Sequence, residues 1–291
     1  MTKDFLRVKP DPIPAIHPVS EYRAKPELTA IYDETKRILR VPWMGVVAMG
    51  FAHYPQFWRT FWSGLRPLAQ SREFDAAAKR LRQVTEAAVK DMAPPPILAD
   101  LRDLGYGARE INQIRDVVEV FSAGNHPYLL MATLARLVLE NHDLSEARAT
   151  TGRRAPAHPA PGSVTLMEPH HADPATKKVY ADIQHTLGLP FVNTDYRALA
   201  RWPSYFGLAW SGVKPVVGSV DYLATVEMVH RESRDLVLNL PNPGRLNTRV
   251  LVESAALDAT PDEVRDVVRL FQWLLPGLVT NVALLRAQLR S

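Results

Sequence analysis

The chain has 291 residues, 46% of them hydrophobic, enough to pack the core of one large domain or two. Thirty-five Lys and Arg against 31 Asp and Glu leave a formal charge of only +4, and the charges are interspersed rather than blocked, so nucleic acid is not expected as a partner. The absence of cysteine removes disulfides, thiolate catalysis and cysteine-ligated metal.

Met1 to Pro10 carries no apolar h-region, so the start does not read as a signal peptide and a cytoplasmic protein is expected. Pro10, Pro12, Pro14 and Pro18 predict an extended arm. Pro55 suits the first position of a helix. Over 73–92, Phe74, Ala77, Leu81, Val84, Ala88 and Met92 recur at spacings of three and four, which predicts an amphipathic helix. Ile111, Ile114, Val118 and Phe121 do the same over 108–121. The segment 128–140 is apolar nearly all round and reads as a buried helix; broken by Arg136, it is too short to cross a membrane. Residues 146–168, dominated by Ala, Pro and Arg, predict a semi-rigid linker. Beyond it Pro203 again marks a helix start, and helices are predicted over 262–271 and 278–289. Strict alternation and Asn-Gly, Asp-Gly or Gly-Gly turns are missing, so the predicted class is all-α.

The chain also repeats itself. Residues 24–71 align without a gap onto 172–219 at an offset of 148. Tyr32, Pro42, Pro55, Trp62, Ser63, Gly64 and Ser71 meet Tyr180, Pro190, Pro203, Trp210, Ser211, Gly212 and Ser219. After a two-residue length difference, Arg115–Val118 and Phe121 meet Arg265–Val268 and Phe271. The expected organisation is a first helical repeat with its arm over 1–145, the linker over 146–168 and a second repeat over 169–291, packed as a pseudo-two-fold dimer within one chain.

Where the copies differ in chemistry, one has been specialised. Asp195 stands opposite Val47 in an otherwise matching frame. An ionised carboxylate in a valine's place costs several kcal/mol to bury, of the order given for unpaired charges, and such a cost marks a functional site. The alternative is an acid in a first helical turn, capped by Asn193 or Thr194 and facing solvent. Gly124-Asn125-His126-Pro127-Tyr128 stands opposite an apolar segment around Leu275, so Asn125 is either a second functional group or an ordinary cap or turn residue. His170-His171 lacks further ligands at metal-site spacing, and no metal is expected. No Gly-x-Ser-x-Gly elbow, Gly-x-Gly-x-x-Gly or P-loop occurs, so neither a serine hydrolase nor a nucleotide cofactor is supported.

The run Leu189-Pro-Phe-Val-Asn-Thr-Asp195-Tyr-Arg-Ala-Leu-Ala-Arg-Trp-Pro-Ser-Tyr205 resembles the catalytic segment of the group I 2-haloacid dehalogenases, the non-stereospecific or D-specific enzymes. Val41-Pro-Trp-Met, Ala52-His-Tyr-Pro-Gln-Phe57 and Gly124–Tyr128 resemble the same family, in order and spacing. The resemblance implies a cofactor-independent hydrolase that converts short 2-haloalkanoic acids to 2-hydroxy acids with inverted configuration. It implies Asp195 as general base, Asn125 as holder of the attacking water, and Trp43 and Tyr128 in the halide and substrate pocket. Thr194 replaces the family's usual serine, and Val46 replaces an expected phenylalanine, changing the pocket's dimensions. The implied partners are a small 2-halocarboxylate and water; a homodimer is compatible with this reading, and no membrane is expected. Two rival readings stay open: Asp195 attacking C2 to form an ester, and a non-catalytic helical scaffold that binds a small ligand.

Overall fold

A computed structural model describes residues 5–154 and 164–290. Among them, twelve α-helices carry the fold and β structure is confined to one isolated bridge, Ser71 with Arg153. The first six helices are α1 (Pro26–Leu39), α2 (Val46–Phe51), α3 (Pro55–Ala69), α4 (Arg72–Ala88), α5 (Leu98–Asp103) and α6 (Ala108–Leu139). The second six are α7 (Pro174–Leu187), α8 (Thr194–Leu199), α9 (Pro203–Val213), α10 (Val220–Asn239), α11 (Thr248–Ala255) and α12 (Pro261–Gln288). The arm over residues 5–20 is irregular, as its prolines dictate. The flanks of the linker, 146–154 and 164–168, are irregular too; its centre, 155–163, lies outside the described residues.

Helix ends follow local rules. Proline occupies the first turn of α1, α3, α7, α9 and α12, where its missing N–H costs nothing. The side chains of Ser71, Asp173, Ser219, Asn247 and Thr260 cap α4, α7, α10, α11 and α12. Bonds recur at the 148-residue offset. Trp62 Nε1 donates to Glu34 at 2.9 Å, and Trp210 Nε1 to Asp182 at 2.7 Å. Tyr32 donates to the Val19 carbonyl and Tyr180 to the Met167 carbonyl, both at 2.7 Å. Left-handed Arg40 and Gly188 end α1 and α7 with φ of 61° and 62°.

The long helices α6 and α12 form the central pair, with more extensive contact than any other two helices. Short α8 packs on α6, and short α2 packs on α12. α2 of the first half therefore lies against the long helix of the second, and α8 of the second against the long helix of the first. By length and composition α12 is apolar enough to cross a bilayer, but it is largely buried within the protein, as expected of a core helix.

Two expectations need correction. The predicted helices over 108–121 and 128–140 are one helix, α6, and those over 262–271 and 278–289 are one helix, α12. Pro127 and Pro276 lie inside them. An internal proline costs roughly 3 kcal/mol, and in both helices the buried residues on either side of it hold the helix together. Gly124-Asn125-His126-Pro127 is thus neither a turn nor a cap.

The loop between α10 and α11 crosses α3 at a point where only glycine fits. A Cβ on Gly244 would overlap the backbone carbonyl of Gly64, which cannot swing aside as a side chain can. Gly244→Ala should therefore cost about 1–3 kcal/mol, as overpacking does, and a thermal melt should show a midpoint several degrees lower.

Candidate active site

Asp195 is the second residue of α8, and only 2% of it is exposed. Its solvent-facing alternative is therefore excluded, and neither Asn193 nor Thr194 caps the helix with its side chain. Five of the six residues of α8 are buried, so contact with α6 fixes the turn that carries the carboxylate. From α6, Asn125 Nδ2 donates to Asp195 Oδ1 at 2.5 Å. The two polar positions singled out by the repeat comparison, 70 residues apart in sequence, meet here.

Burial pushes the Asp195 carboxyl up to about 6; the Asn125 bond, its own backbone and the charge of Arg197 oppose that shift. Arg197 is itself neutralised by Glu168, at 2.8 and 2.9 Å, and reaches Thr194 Oγ1 at 3.3 Å. His126, next to Asn125, is held neutral: burial lowers it to about 4. Its Nδ1 donates to the Ser122 carbonyl at 2.8 Å.

Asp195 and Asn125 border a cavity of about 20 Å³, room for one water. Trp43, Val46, Val47, Tyr128 and Thr194 share its wall. Trp43 lies between α1 and α2, its ring 4.6 Å from that of Phe121. Gly124 permits this approach, because a Cβ there would collide with the tip of the indole. The indole N–H has no hydrogen-bond partner among the described residues. Tyr128 is committed elsewhere: its hydroxyl donates to the Trp43 carbonyl and accepts from Gly45 N–H, each at 2.9 Å. Of the two roles open to Tyr128, hydroxyl donor or ring edge, the hydroxyl is spent on holding the Trp43–Gly45 loop.

All six sequence-derived site residues, Trp43, Val46, Asn125, Tyr128, Thr194 and Asp195, line this one cavity. Residues that face each other in the repeat alignment also meet there. Val47 and Asp195, Val46 and Thr194, Gly45 and Asn193, Asn125 and Leu275, and Tyr128 and Leu278 all contribute. Asn193, Leu275 and Leu278 were not predicted as site residues. The signal that marks them is the same one: a change of chemistry at matched positions of the repeat. The Oδ1 of Asn193 is buried without a partner. His170 and His171 lie outside the cavity.

The family model described as halocarboxylic acid dehydrogenase DehI matches residues 42–189. An (R)-2-haloacid dehalogenase of Rhizobium sp. (strain NHG3) is 44% identical over 247 residues, covering 84% of this chain and 95% of the relative. An (R)-2-haloacid dehalogenase of Pseudomonas putida is 35% identical over 278 residues, covering 94% of this chain and 92% of the relative. The solved complex structure of a D-2-haloacid dehalogenase with L-LA has a TM-score of 0.90 at 34% identity, covering 95% of this chain and 97% of that one. The chain belongs to the group I 2-haloacid dehalogenase family.

The Asp195 environment makes a prediction about stability. Its carboxyl titrates near 3.8 in an unfolded chain and at about 6 in the folded protein. Between those values the folded state holds more proton than the unfolded one, so stability falls as pH rises through the window. The total is about 3 kcal/mol for a shift of this size. Asp195→Asn removes that titration. Thermal melts should place it above the wild type at pH 8, with the difference closing by pH 4; a gap independent of pH would contradict the buried-carboxylate assignment.

Proposed function

We propose that this protein hydrolyses short-chain 2-haloalkanoic acids to 2-hydroxy acids, with water activated by Asp195 attacking C2 and inverting its configuration. The observation that carries the proposal is a single buried carboxylate, raised to about 6 and bonded to an asparagine amide, beside a cavity sized for one water. Water is a poor nucleophile until a base removes its proton. A carboxyl titrating near 6 is ionised at pH 7 and is a stronger base than an ordinary aspartate. The Asn125 amide holds one carboxylate oxygen, which leaves the other for the water proton. Its own carbonyl oxygen has no partner among the described residues and can accept the second water hydrogen. Fixing water and carbon in line removes much of the orientational cost of the step.

As the C–X bond breaks, negative charge moves to the departing halide. The unspent Trp43 indole N–H and the positive edges of the surrounding rings are the groups to receive it. Tyr128 supports that pocket by holding the Trp43 loop rather than by donating its hydroxyl. Direct displacement inverts C2. A D-acid enzyme in complex with an L-hydroxy acid, as in the solved relative, is the pairing that inversion predicts. The names of the relatives favour the (R)-enantiomer as substrate.

The two halves, 1–145 and 169–291, are proposed to be pseudo-symmetric repeats. The bonds that recur at the 148-residue offset support this, as does the exchange of short helices between the halves. In this arrangement the cavity lies near the axis, and each half supplies one member of the catalytic pair.

Asp195→Asn should retain the fold and lose chloride release from (R)-2-chloropropanoate by a factor of ~10²–10⁴, the range for loss of a general base. The wild-type kcat/KM should fall below about pH 6, where Asp195 takes up its proton. A single turnover in ¹⁸O water, with enzyme in excess, separates the two chemical routes. Label in the first product supports direct attack; an unlabelled first product with ¹⁸O retained in the Asp195 carboxylate would establish the ester route instead.

A further inference from the structure

A second chamber adjoins the catalytic cavity. Its volume is about 190 Å³, and Asn193, Leu274 and Leu278 line both spaces. A cavity of about 150 Å³ takes up benzene, so this chamber can hold a short haloacid, whereas the 20 Å³ beside Asp195 holds one water.

The chamber contains one charged side chain, Arg7, carried by the N-terminal arm. The arm is fastened here by Phe5. The Phe5 ring stacks on His230 at 5.3 Å, meets the edge of His142 at 5.4 Å and lies under the Arg136 guanidinium at 4.2 Å. His230 Nε2 donates to the Phe5 carbonyl at 2.8 Å, and Gln272 donates to His230 Nδ1 at the same distance. Arg136 in turn donates to Gln272 at 2.6 Å. Two residues beyond this anchor, Arg7 Nε donates to the Trp273 carbonyl at 2.9 Å, with the guanidinium 5.3 Å from the indole centre. Lys9 Nζ lies 5.2 Å from the same ring.

Arg7 lines this chamber without a counter-ion: among the described residues no carboxylate comes within 4.0 Å of it. Glu227 acts on it only through space. Three of the chamber's other polar side chains are bonded to one another: Tyr222 donates to Asn281, and Asn281 donates to Tyr196, each at 3.0 Å. The guanidinium Nη groups have no acceptor among the described residues. A half-buried cation facing a mainly apolar pocket is a site for a small organic anion.

We propose that this chamber is an antechamber for short 2-haloalkanoates, in which Arg7 pairs with the carboxylate before the acid passes Asn193, Leu274 and Leu278 to reach Asp195. The identity of the anion rests on the dehalogenase function; the anion site itself does not. Arg7 is a capture and positioning residue, remote from the reacting atoms.

The test separates binding from chemistry. Calorimetry would compare propanoate, which has no halogen to lose, with the neutral isostere propanamide. The wild type should prefer propanoate, and Arg7→Gln should weaken propanoate binding about tenfold, the loss of one charge-assisted bond, leaving propanamide unchanged. Chloride release from (R)-2-chloropropanoate should show a similar rise in KM with kcat within about twofold. Arg7→Lys should recover part of the affinity, and Arg7→Met, which keeps the packed stem, is the second neutral variant should Arg7→Gln not fold. Unchanged propanoate affinity and KM in a neutral variant that melts like the wild type would overturn the proposal, as would a loss confined to kcat. Arg7-dependent propanoate binding in a wild type that releases no chloride from any 2-haloalkanoate would leave the anion site standing and refute the dehalogenase function. Chloride release with Arg7-independent binding would do the reverse.

Discussion

The hydrogen bond from Asn125 to Asp195 is the constraint around which the fold is arranged. A lone ionised carboxylate taken from water carries a penalty of several kcal/mol. The protein offsets only part of it, with the Asn125 amide, the residue's own backbone N–H and the charge of Arg197. No full ion pair is formed, because Arg197 is itself engaged by Glu168. A tight salt bridge would stabilise the carboxylate and depress its proton affinity. The incomplete compensation leaves Asp195 more basic than an ordinary aspartate, as the proposed activation of water requires, and the rest of the structure carries the remaining cost.

That structure works because each half contributes to the other's interior. α8 rests on α6, and α2 rests on α12, so the two members of the pair come from different halves. Positions matched in the sequence repeat line one cavity, and the polar member alternates between the copies: Asp195 against Val47, Asn125 against Leu275. A site with polar groups in both copies would place two carboxylates together, and one of them would hold its proton. Keeping Val47 and Leu275 apolar gives a single charge in a dry setting. It also leaves the opposite wall apolar, as a small alkyl group requires.

Much of this was legible in the sequence because a repeat supplies its own reference. The offset of 148 residues exposed Asp195 against Val47, and the offset of 150 beyond the two-residue length difference exposed Asn125 against Leu275, with no other chain to compare. Periodicity showed the helical class. It did not show that α6 and α12 run unbroken through Pro127 and Pro276, since a proline's local penalty is visible in sequence and the packing that outweighs it is not. Nor could sequence reveal that the Tyr128 hydroxyl is consumed by Trp43 and Gly45, a bond between residues over 80 positions apart. Arg7 was hidden for another reason. It lies in a proline-rich arm without periodicity, outside the repeated segments, where no matched position marks it as different.

The small size of the catalytic cavity follows from the same economy of packing. A space that holds one water excludes bulk solvent and keeps Asp195 basic, yet it is too small for a haloacid. In the proposed reaction, C2 of the acid comes within reach of the activated water only if part of the wall yields. The groups that hold the base cannot be that part: Asn125 sits mid-helix on α6, and Asp195 lies in a turn buried on nearly every side. The side chains shared with the antechamber are different in kind. Leu274 and Leu278 are apolar side chains with no hydrogen bond to break, and Asn193 carries a buried carbonyl oxygen with no partner among the described residues. Val46, partly exposed and smaller than the phenylalanine expected there, leaves further slack on the opposite side. Hydrogen bonding thus holds the Asp195–Asn125 pair, while the wall between the two spaces is mainly apolar.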